Sequence, residues 1–384
     1  MKVLLIGNYA FDGSTSMQIW AGALERELRE LDTDVCLLSP RPVFGRWKPS
    51  SHGVGKWLGY IDRYLLFPPA LLAAAAKADV VHMCDHGSAM YCLMLKGKPT
   101  VVTCHDMLAV RSAMGELPGL RKSLFGRYLQ RWICSGLRRA TRVACISQAT
   151  FDDASRILGR SCRFRVILNA LNYPFQPLAV GEAERRLAGM KGIEKAYLLH
   201  VGSSHARKNR DGILRVFAKV AATSDLQLVF AGDALNHRLT RLADELGVSS
   251  RIVQIVKPDV SVIEALYNRA TALIFPSRYE GFGWPPIEAQ ACGCPVVASD
   301  IPPVAEVLRD TATLHRLDDE AGMAASILRL ATDKDYRDRL KQLGFKNVES
   351  RFRTQRMMGE YVRLYSEAAQ SWQKTGRRRG SGAG

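Results

Sequence analysis

"SRYEGFGWPPIEAQACGCPVV", residues 277–297, holds two carboxylates, Glu280 and Glu288, eight positions apart. Between them stand two glycines, two aromatics and two adjacent prolines. The preceding "TALIFPS" reads as a strand ending at Ser277, "RYEGFG" as a loop, and Pro285-Pro286 as the first turn of a helix, where a missing N–H costs nothing. That helix is expected to run to about Cys292 and to end at Gly293, with "PVVAS" as the next strand. A Gly-rich loop feeding a helix start aims the amides of Gly281, Phe282 and Gly283 at an anion, which the helix dipole favours. The glycines allow close approach and positive φ. Glu288 falls in the first helical turn and Glu280 on the far side of the anion position. Read alone, the two acids suggest acid–base chemistry; read in place, they flank one elongated ligand.

The flanking sequence repeats this strand–helix alternation. Short apolar runs at 3–6, 35–38, 80–83, 100–104, 143–146 and 165–168 alternate with amphipathic stretches such as "MQIWAGALERELREL". After a Pro-containing pause near 172–195, a second series follows at 197–201, 227–230, 252–256, 272–275 and 295–298. This pattern predicts an α/β chain of two doubly wound parallel-sheet domains, with ligands beyond the carboxyl ends of the strands and the active site in the cleft between the domains. The expected boundaries are 1–175 for the first domain, completed by a helix at about 354–372, then 176–353 for the second, with 373–384 a basic disordered tail. No GxGxxG follows the first strand, which argues against a dinucleotide oxidoreductase.

Together, "PSRYEGFGWPPIEAQACGCPVVAS" resembles the E-x7-E signature of glycosyltransferase family 4, in the GT-B superfamily. The match covers spacing, glycines, proline and both acids, and a weaker resemblance runs from Met1 to about residue 370. The resemblance implies a GT-B fold of two Rossmann-like domains facing across a cleft. It implies that Glu280 contacts the donor sugar, Glu288 the nucleotide ribose, and the backbone of Gly281, Phe282 and Gly283 the sugar and diphosphate.

Further segments carry the resemblance with less weight. "HVGSSHARKN" resembles the family's VG-x(n)-RKN element, in which Gly202 ends a strand and Arg207 and Lys208 neutralise a diphosphate leaving group. Some family members carry an Arg directly after this glycine; Ser203 stands there, which leaves open whether Arg207 supplies the guanidinium. His105-Asp106 closes the strand in "PTVVTCHDML", where a family His lies near the donor sugar; Asp106 either orients His105 or meets the acceptor. Gly13 and Ser14, after the first strand, resemble the loop facing donor phosphate and acceptor, although only one glycine of the usual pair is present. Ser147 reads as a helix cap, and Gly232 and Glu306 receive no chemical role. The catalytic candidates are therefore His105, Asp106, Arg207, Lys208 and Glu280, with no metal ligands and no cofactor beyond a nucleotide-diphosphate sugar as co-substrate.

Composition narrows the partners. A formal net charge of +17 over 384 residues favours anionic partners, but no groove-reading motif supports nucleic acid. Nine scattered cysteines without CxxC read as buried free thiols of a reducing compartment. The opening apolar run stops at Gly7, too short for a signal peptide, so a cytoplasmic location is expected. "GLRKSLFGRYLQRWICSGLRRA" places Leu120, Leu124, Tyr128 and Trp132 on one stripe amid Arg121, Lys122, Arg127, Arg131, Arg138 and Arg139, with no acid between Glu116 and Asp152. Two readings stand: the helix lies on an anionic membrane surface, at the inner face of the membrane, or it packs on the first domain with a solvated basic rim.

The expected function is retaining transfer of a mannose- or glucose-like hexose from a nucleotide-diphosphate sugar to a saccharide or lipid-linked acceptor, in cell-surface polysaccharide or glycolipid synthesis. The alternatives are a sugar-nucleotide epimerase or hydrolase on the same scaffold, and a non-enzymatic nucleotide-binding assembly protein.

Overall fold

Runs of Val, Ile and Leu without polar alternation cannot face water on either side, and they become strands covered on both faces. The computed structural model describes residues 1–380 except Ser14, Ser51 and residues 118–121. Among these, β1 (Lys2–Ile6), β2 (Asp34–Leu38), β3 (Val80–Met83), β4 (Thr100–Cys104), β5 (Arg142–Cys145) and β6 (Phe164–Val166) form a parallel sheet in the order β2-β1-β3-β4-β5-β6. A second parallel sheet, β12-β11-β10-β7-β8-β9, joins β7 (Tyr197–Gly202), β8 (Gln227–Gly232), β9 (Ile252–Val256), β10 (Ala272–Phe275), β11 (Val296–Ser299) and β12 (Thr313–His315). β12 has no counterpart in the sequence reading: "TLH" is three half-buried residues on an edge, too short to show a period.

The backbone divides into two compact units, Met1–Asn172 with Thr354–Gly384, and Tyr173–Arg353. Each has its own core. In the first, Ile6, Val81, Met83, Val102 and Val143 meet Leu71, Ile133 and Leu137. In the second, Leu198, Leu228, Phe230 and Ile274 meet Ile213, Phe217 and Ile327.

The C-terminal helix belongs to the first unit because its buried face carries polar partners that fit there. Tyr365 Oη and His82 Nδ1 are 2.8 Å apart, and Thr103 Oγ1 lies 2.8 Å from His82 Nε2 and 2.9 Å from Tyr361 Oη. This helix, Thr354–Gly380, continues through residues 373–380, where the sequence reading has a disordered tail.

In an open parallel sheet, a crevice forms where successive crossovers leave a strand in opposite directions. In the first unit β1 lies between β2 and β3, so the switch falls between β1 and β3; in the second it falls between β7 and β10.

Candidate active site

The second unit's switch point is built from the two loops that sequence reading singled out. β7 ends at Gly202, a single turn Ala206–Lys208 follows, and Asn209 takes a left-handed conformation (φ 55°) before the helix Arg210–Ala221. β10 leads through residues 276–282 to Gly283 (φ 111°), from which the helix Trp284–Ala291 starts with proline in its first turn. The loops are stitched together: Arg278 N donates to Arg207 O at 2.7 Å, and the Asn209 side chain donates from Nδ2 to Pro276 O at 3.1 Å. Arg278 Nη2 donates back to Asn209 Oδ1 at 2.6 Å.

This stitching brings Arg207, Lys208 and Glu280 together. Lys208 Nζ donates to Glu280 Oε1 at 2.7 Å, and Arg207 Nη1 donates to Oε2 at 2.5 Å and to Tyr279 O at 3.3 Å. The Glu280 and Lys208 side chains are 7% and 8% exposed and that of Arg207 is 30%, so Arg207 is the cation most open to an approaching anion. Burial alone would raise the Glu280 pKa, but the Lys208 and Arg207 charges hold it below the ordinary value. Burial pulls the Lys208 pKa down against the opposing Glu280 charge. Lys208 Nζ also sits 4.7 Å from the Phe275 ring centre. Two cations share one carboxylate, leaving a net positive, poorly hydrated centre that can take a diphosphate.

Glu288 behaves differently. It is buried in the first turns of the helix Trp284–Ala291, where Tyr267 Oη donates to its Oε2 at 3.0 Å. Burial raises its pKa to about 7, with Tyr267 and the Lys208 charge opposing. Of the loop residues, Gly281 is half-buried and Gly283 buried. The Phe282 ring packs inward against Trp284 and Phe352 at 5.7 and 5.8 Å, so only its backbone can serve a ligand. Below the loops, His200 is buried with Nδ1 3.2 Å from Ile274 O, and burial lowers its pKa to about 3, so it stays neutral. Gly202 and Gly232 run so close that a Cβ on Gly232 would lie 2.3 Å from Gly202 O, which gives Gly232 a purely steric role. Arg210 then ties the two strand ends, donating to Gly202 O at 2.6 Å and Asp233 O at 2.8 Å.

In the first unit, His105 and Asp106 follow β4. His105 is buried, with Nε2 2.9 Å from Cys84 O and its ring edge-on to Trp20 at 5.0 Å. Burial lowers its pKa against the pull of Asp85. Asp106 Oδ1 accepts from Leu108 N at 2.9 Å, at the entrance to the helix Leu108–Met114. Gly13 (φ 77°) turns the loop after β1; Ser14 lies outside the described residues.

The β1/β3 switch itself carries residues the sequence reading passed over. Asn8 Nδ2 donates to Asp85 Oδ2 at 2.7 Å and to Asp12 Oδ2 at 3.3 Å, while Asp85 Oδ1 accepts from Gly87 N at 2.9 Å and meets His86 Nδ1 at 3.1 Å. Burial disfavours the His86 imidazolium, but the Asp85 carboxylate outweighs it and raises the pKa to about 8. Arg63, whose pKa is raised by Tyr64, Tyr91, Asp12 and Asp85 against the effect of burial, stacks over Tyr64 at 5.4 Å on the π-helical turn Asp62–Leu66. That turn is anchored by Asp62, which accepts from Tyr9 Oη at 2.7 Å and from the amides of Val43, Phe44 and Gly45 at 3.0 Å each.

A family model described as "Glycosyl transferases group 1" matches residues 188–347, and one described as "Glycosyltransferase Family 4" matches residues 17–173. The chain belongs to glycosyltransferase family 4. Among its relatives, the N-acetyl-alpha-D-glucosaminyl L-malate synthase of Bacillus anthracis is 25% identical over 240 residues, 62% of each chain. The O-antigen chain mannosyltransferase RfbU of Salmonella typhimurium is 31% identical over 36% of this chain and 39% of its own length. The O-antigen chain mannosyltransferase B of Escherichia coli is 24% identical over 72% of each chain. The match thus spans less than two thirds of the first two relatives. The fold is GT-B: the sucrose-phosphate synthase of Thermosynechococcus elongatus superposes with a TM-score of 0.78 at 18% identity, covering 96% of this chain and 99% of that one. Anabaena Alr3699/HepE in complex with UDP and glucose gives 0.75 at 15% identity, covering 95% and 99%.

For this family 4 chain, the signal that could have found Asp85 and His86 was positional. "VVHM" is a buried strand, and "CDH" at its carboxyl end mirrors the "CHD" that ends β4. Arg63 had no such signal, because a π-helical turn has no sequence period of its own.

Proposed function

We propose that this chain is a retaining glycosyltransferase that moves a mannose- or glucose-like hexose from a nucleotide-diphosphate sugar to a saccharide or lipid-linked acceptor. The observation that carries this reading is the Arg207–Lys208–Glu280 cluster at the β7/β10 switch, beside the loop and helix start of residues 281–288. Arg207 and Lys208 neutralise the diphosphate as the bond from the anomeric carbon to the phosphate oxygen breaks, and the amides at 281–283 share that charge. Glu280 holds the two cations and accepts from sugar hydroxyls; ionised Glu288 accepts from the ribose. The acceptor oxygen forms its bond on the face the diphosphate leaves, and its proton passes to a phosphate oxygen of the leaving group. No metal or cofactor enters this scheme. In the first unit, His105 serves the sugar, and Asp106 and the Asp85–His86 pair serve acceptor hydroxyls.

The relatives support this reading, since two are named as O-antigen chain mannosyltransferases and a solved neighbour holds UDP and glucose. The enzyme works in cell-surface polysaccharide or glycolipid synthesis, in the cytoplasm at the inner face of the membrane. Among the described residues no helix is long and apolar enough to cross a membrane.

The test is a donor screen with GDP- and UDP-hexoses, run with saccharide and lipid-linked acceptors, with the product anomer assigned by NMR. Acceptor-dependent transfer that keeps the donor's anomeric configuration is expected. Donor consumption at the same rate without acceptor, or an inverted product, would overturn the reading.

A further inference from the structure

The helix Leu124–Arg139 has two unlike sides. Its inner side is buried through Ile133, Cys134 and Leu137, and a Cβ on Gly136 would lie 2.1 Å from Ala89 O, so the helix rests backbone to backbone on the turn His86–Leu93. Its outer side leaves Leu124 82% and Tyr128 69% exposed. Of the stripe read from the sequence, Trp132 is partly buried against the core, Leu124 and Tyr128 face outward, and Leu120 and Arg121 lie outside the described residues.

Alongside runs the helix Gly53–Ile61, joined to it by Phe125, whose ring lies 4.8 Å from Trp57 and 5.5 Å from Tyr60. Here too apolar groups face outward: Val54, Trp57 and, in the following turn, Leu65 are 59%, 54% and 69% exposed. Single exposed apolar residues are ordinary, but several on two joined helices are not.

The charges on these helices have one sign. Between Arg41 and Ala78 the sequence has one carboxylate, Asp62, and it is buried beneath its four donors. Between Leu117 and Phe151 it has none. Lys56, Lys122, Arg127 and Arg131 are exposed. A second copy of this face would set cation against cation. An anionic bilayer satisfies both features at once: its headgroups take the cations, and its interfacial zone takes Trp, Tyr and Leu.

We propose that this two-helix face docks the enzyme on an anionic lipid bilayer, by shallow insertion of Trp57, Leu124 and Tyr128 within a ring of cations. The proposal deepens the membrane location in the proposed function and rests on it only there, because bilayer binding needs no nucleotide sugar.

Flotation of the full chain with phosphatidylcholine vesicles, with and without phosphatidylglycerol, tests it. Binding to anionic vesicles alone is expected. Arg127→Gln with Arg131→Gln should weaken it about thirtyfold. Leu124→Ser and Tyr128→Ser should each weaken it about tenfold; both residues are so exposed that thermal unfolding should not change. Transfer to a soluble acceptor should stay at the parent rate in all these variants, so loss of transfer with binding intact counts against the proposed reaction and not against the docking face. Failure to float with anionic vesicles, binding unchanged by the four substitutions, or a dimer in vesicle-free buffer that the substitutions abolish would overturn the proposal.

Discussion

Both units of this chain present a crevice where strand crossovers diverge, and the two crevices are furnished differently. At β7/β10, two cations and one carboxylate are locked at 2.5–2.7 Å with Glu280 and Lys208 almost fully buried, a preorganised positive centre. At β1/β3, Asn8, Asp12, Asp85 and His86 form a mixed network of donors and acceptors, with the Arg63 charge acting on Asp12 and Asp85. The first arrangement suits one large fixed negative charge. The second suits a polyhydroxylated ligand, whose hydroxyls both donate and accept. The proposed division of labour follows from this difference, with the diphosphate assigned to the second unit and the acceptor to the first.

The two crevices should separate most sharply at Lys208. Lys208→Ala should lower kcat/KM by about a thousandfold, because it removes one of the two cations proposed to stabilise the leaving group and leaves Arg207 as the one cation bonded to Glu280. Steady-state kinetics check it, and near-parent turnover would remove the diphosphate from this crevice.

Asp85→Asn should cost about a hundredfold in turnover, since His86 loses the partner that keeps it charged. UDP or GDP affinity, measured by calorimetry, should be unchanged. A loss of nucleotide affinity equal to the loss of turnover would erase the distinction between the crevices.

Asp62→Asn should destabilise the first unit by about 2 kcal/mol in chemical unfolding, because a carboxylate that satisfies four donors is replaced by a group that can accept at only one oxygen. Donor affinity should again be unmoved.

The smallest effect concerns the two glutamates. Glu288 has its pKa raised from an ordinary 4.5 to about 7, so the folded state holds a proton that the unfolded chain has released. Its effect is to lower stability as pH rises from 4.5 to about 7, and Glu288→Gln should remove that slope. Glu280, with its pKa lowered, contributes stability above its ordinary value that is lost as pH falls through the folded value. If Glu288 holds the ribose in its ionised form, as proposed, nucleotide affinity should rise about tenfold across roughly one pH unit either side of neutrality, and Glu288→Gln should flatten it.

The second crevice was legible in the sequence because its chemistry is local. Strand, glycine loop, prolines and helix start occur within residues 272–291, and the Arg207-Lys208-Asn209 turn is equally compact. The first crevice was only half legible. His105 and Asp106 announce themselves as a pair, but Asn8 meets Asp85 across 77 residues, and only the strand order makes them neighbours. Asp62 and Arg63 are further from reach, since their roles depend on a π-helical turn and on amides from residues 43–45. β12 escaped because an edge strand of three residues carries no period.

The proposed reaction depends on a diphosphate bound in the Arg207–Lys208–Glu280 crevice. Calorimetric titration of the parent and of Lys208→Ala with UDP and uridine, and with GDP and guanosine, tests it most directly. The parent should bind one nucleoside diphosphate at least a hundredfold more tightly than its nucleoside, and Lys208→Ala should lose most of that preference while keeping the nucleoside affinity. An undiminished preference for the diphosphate in Lys208→Ala would place the diphosphate elsewhere.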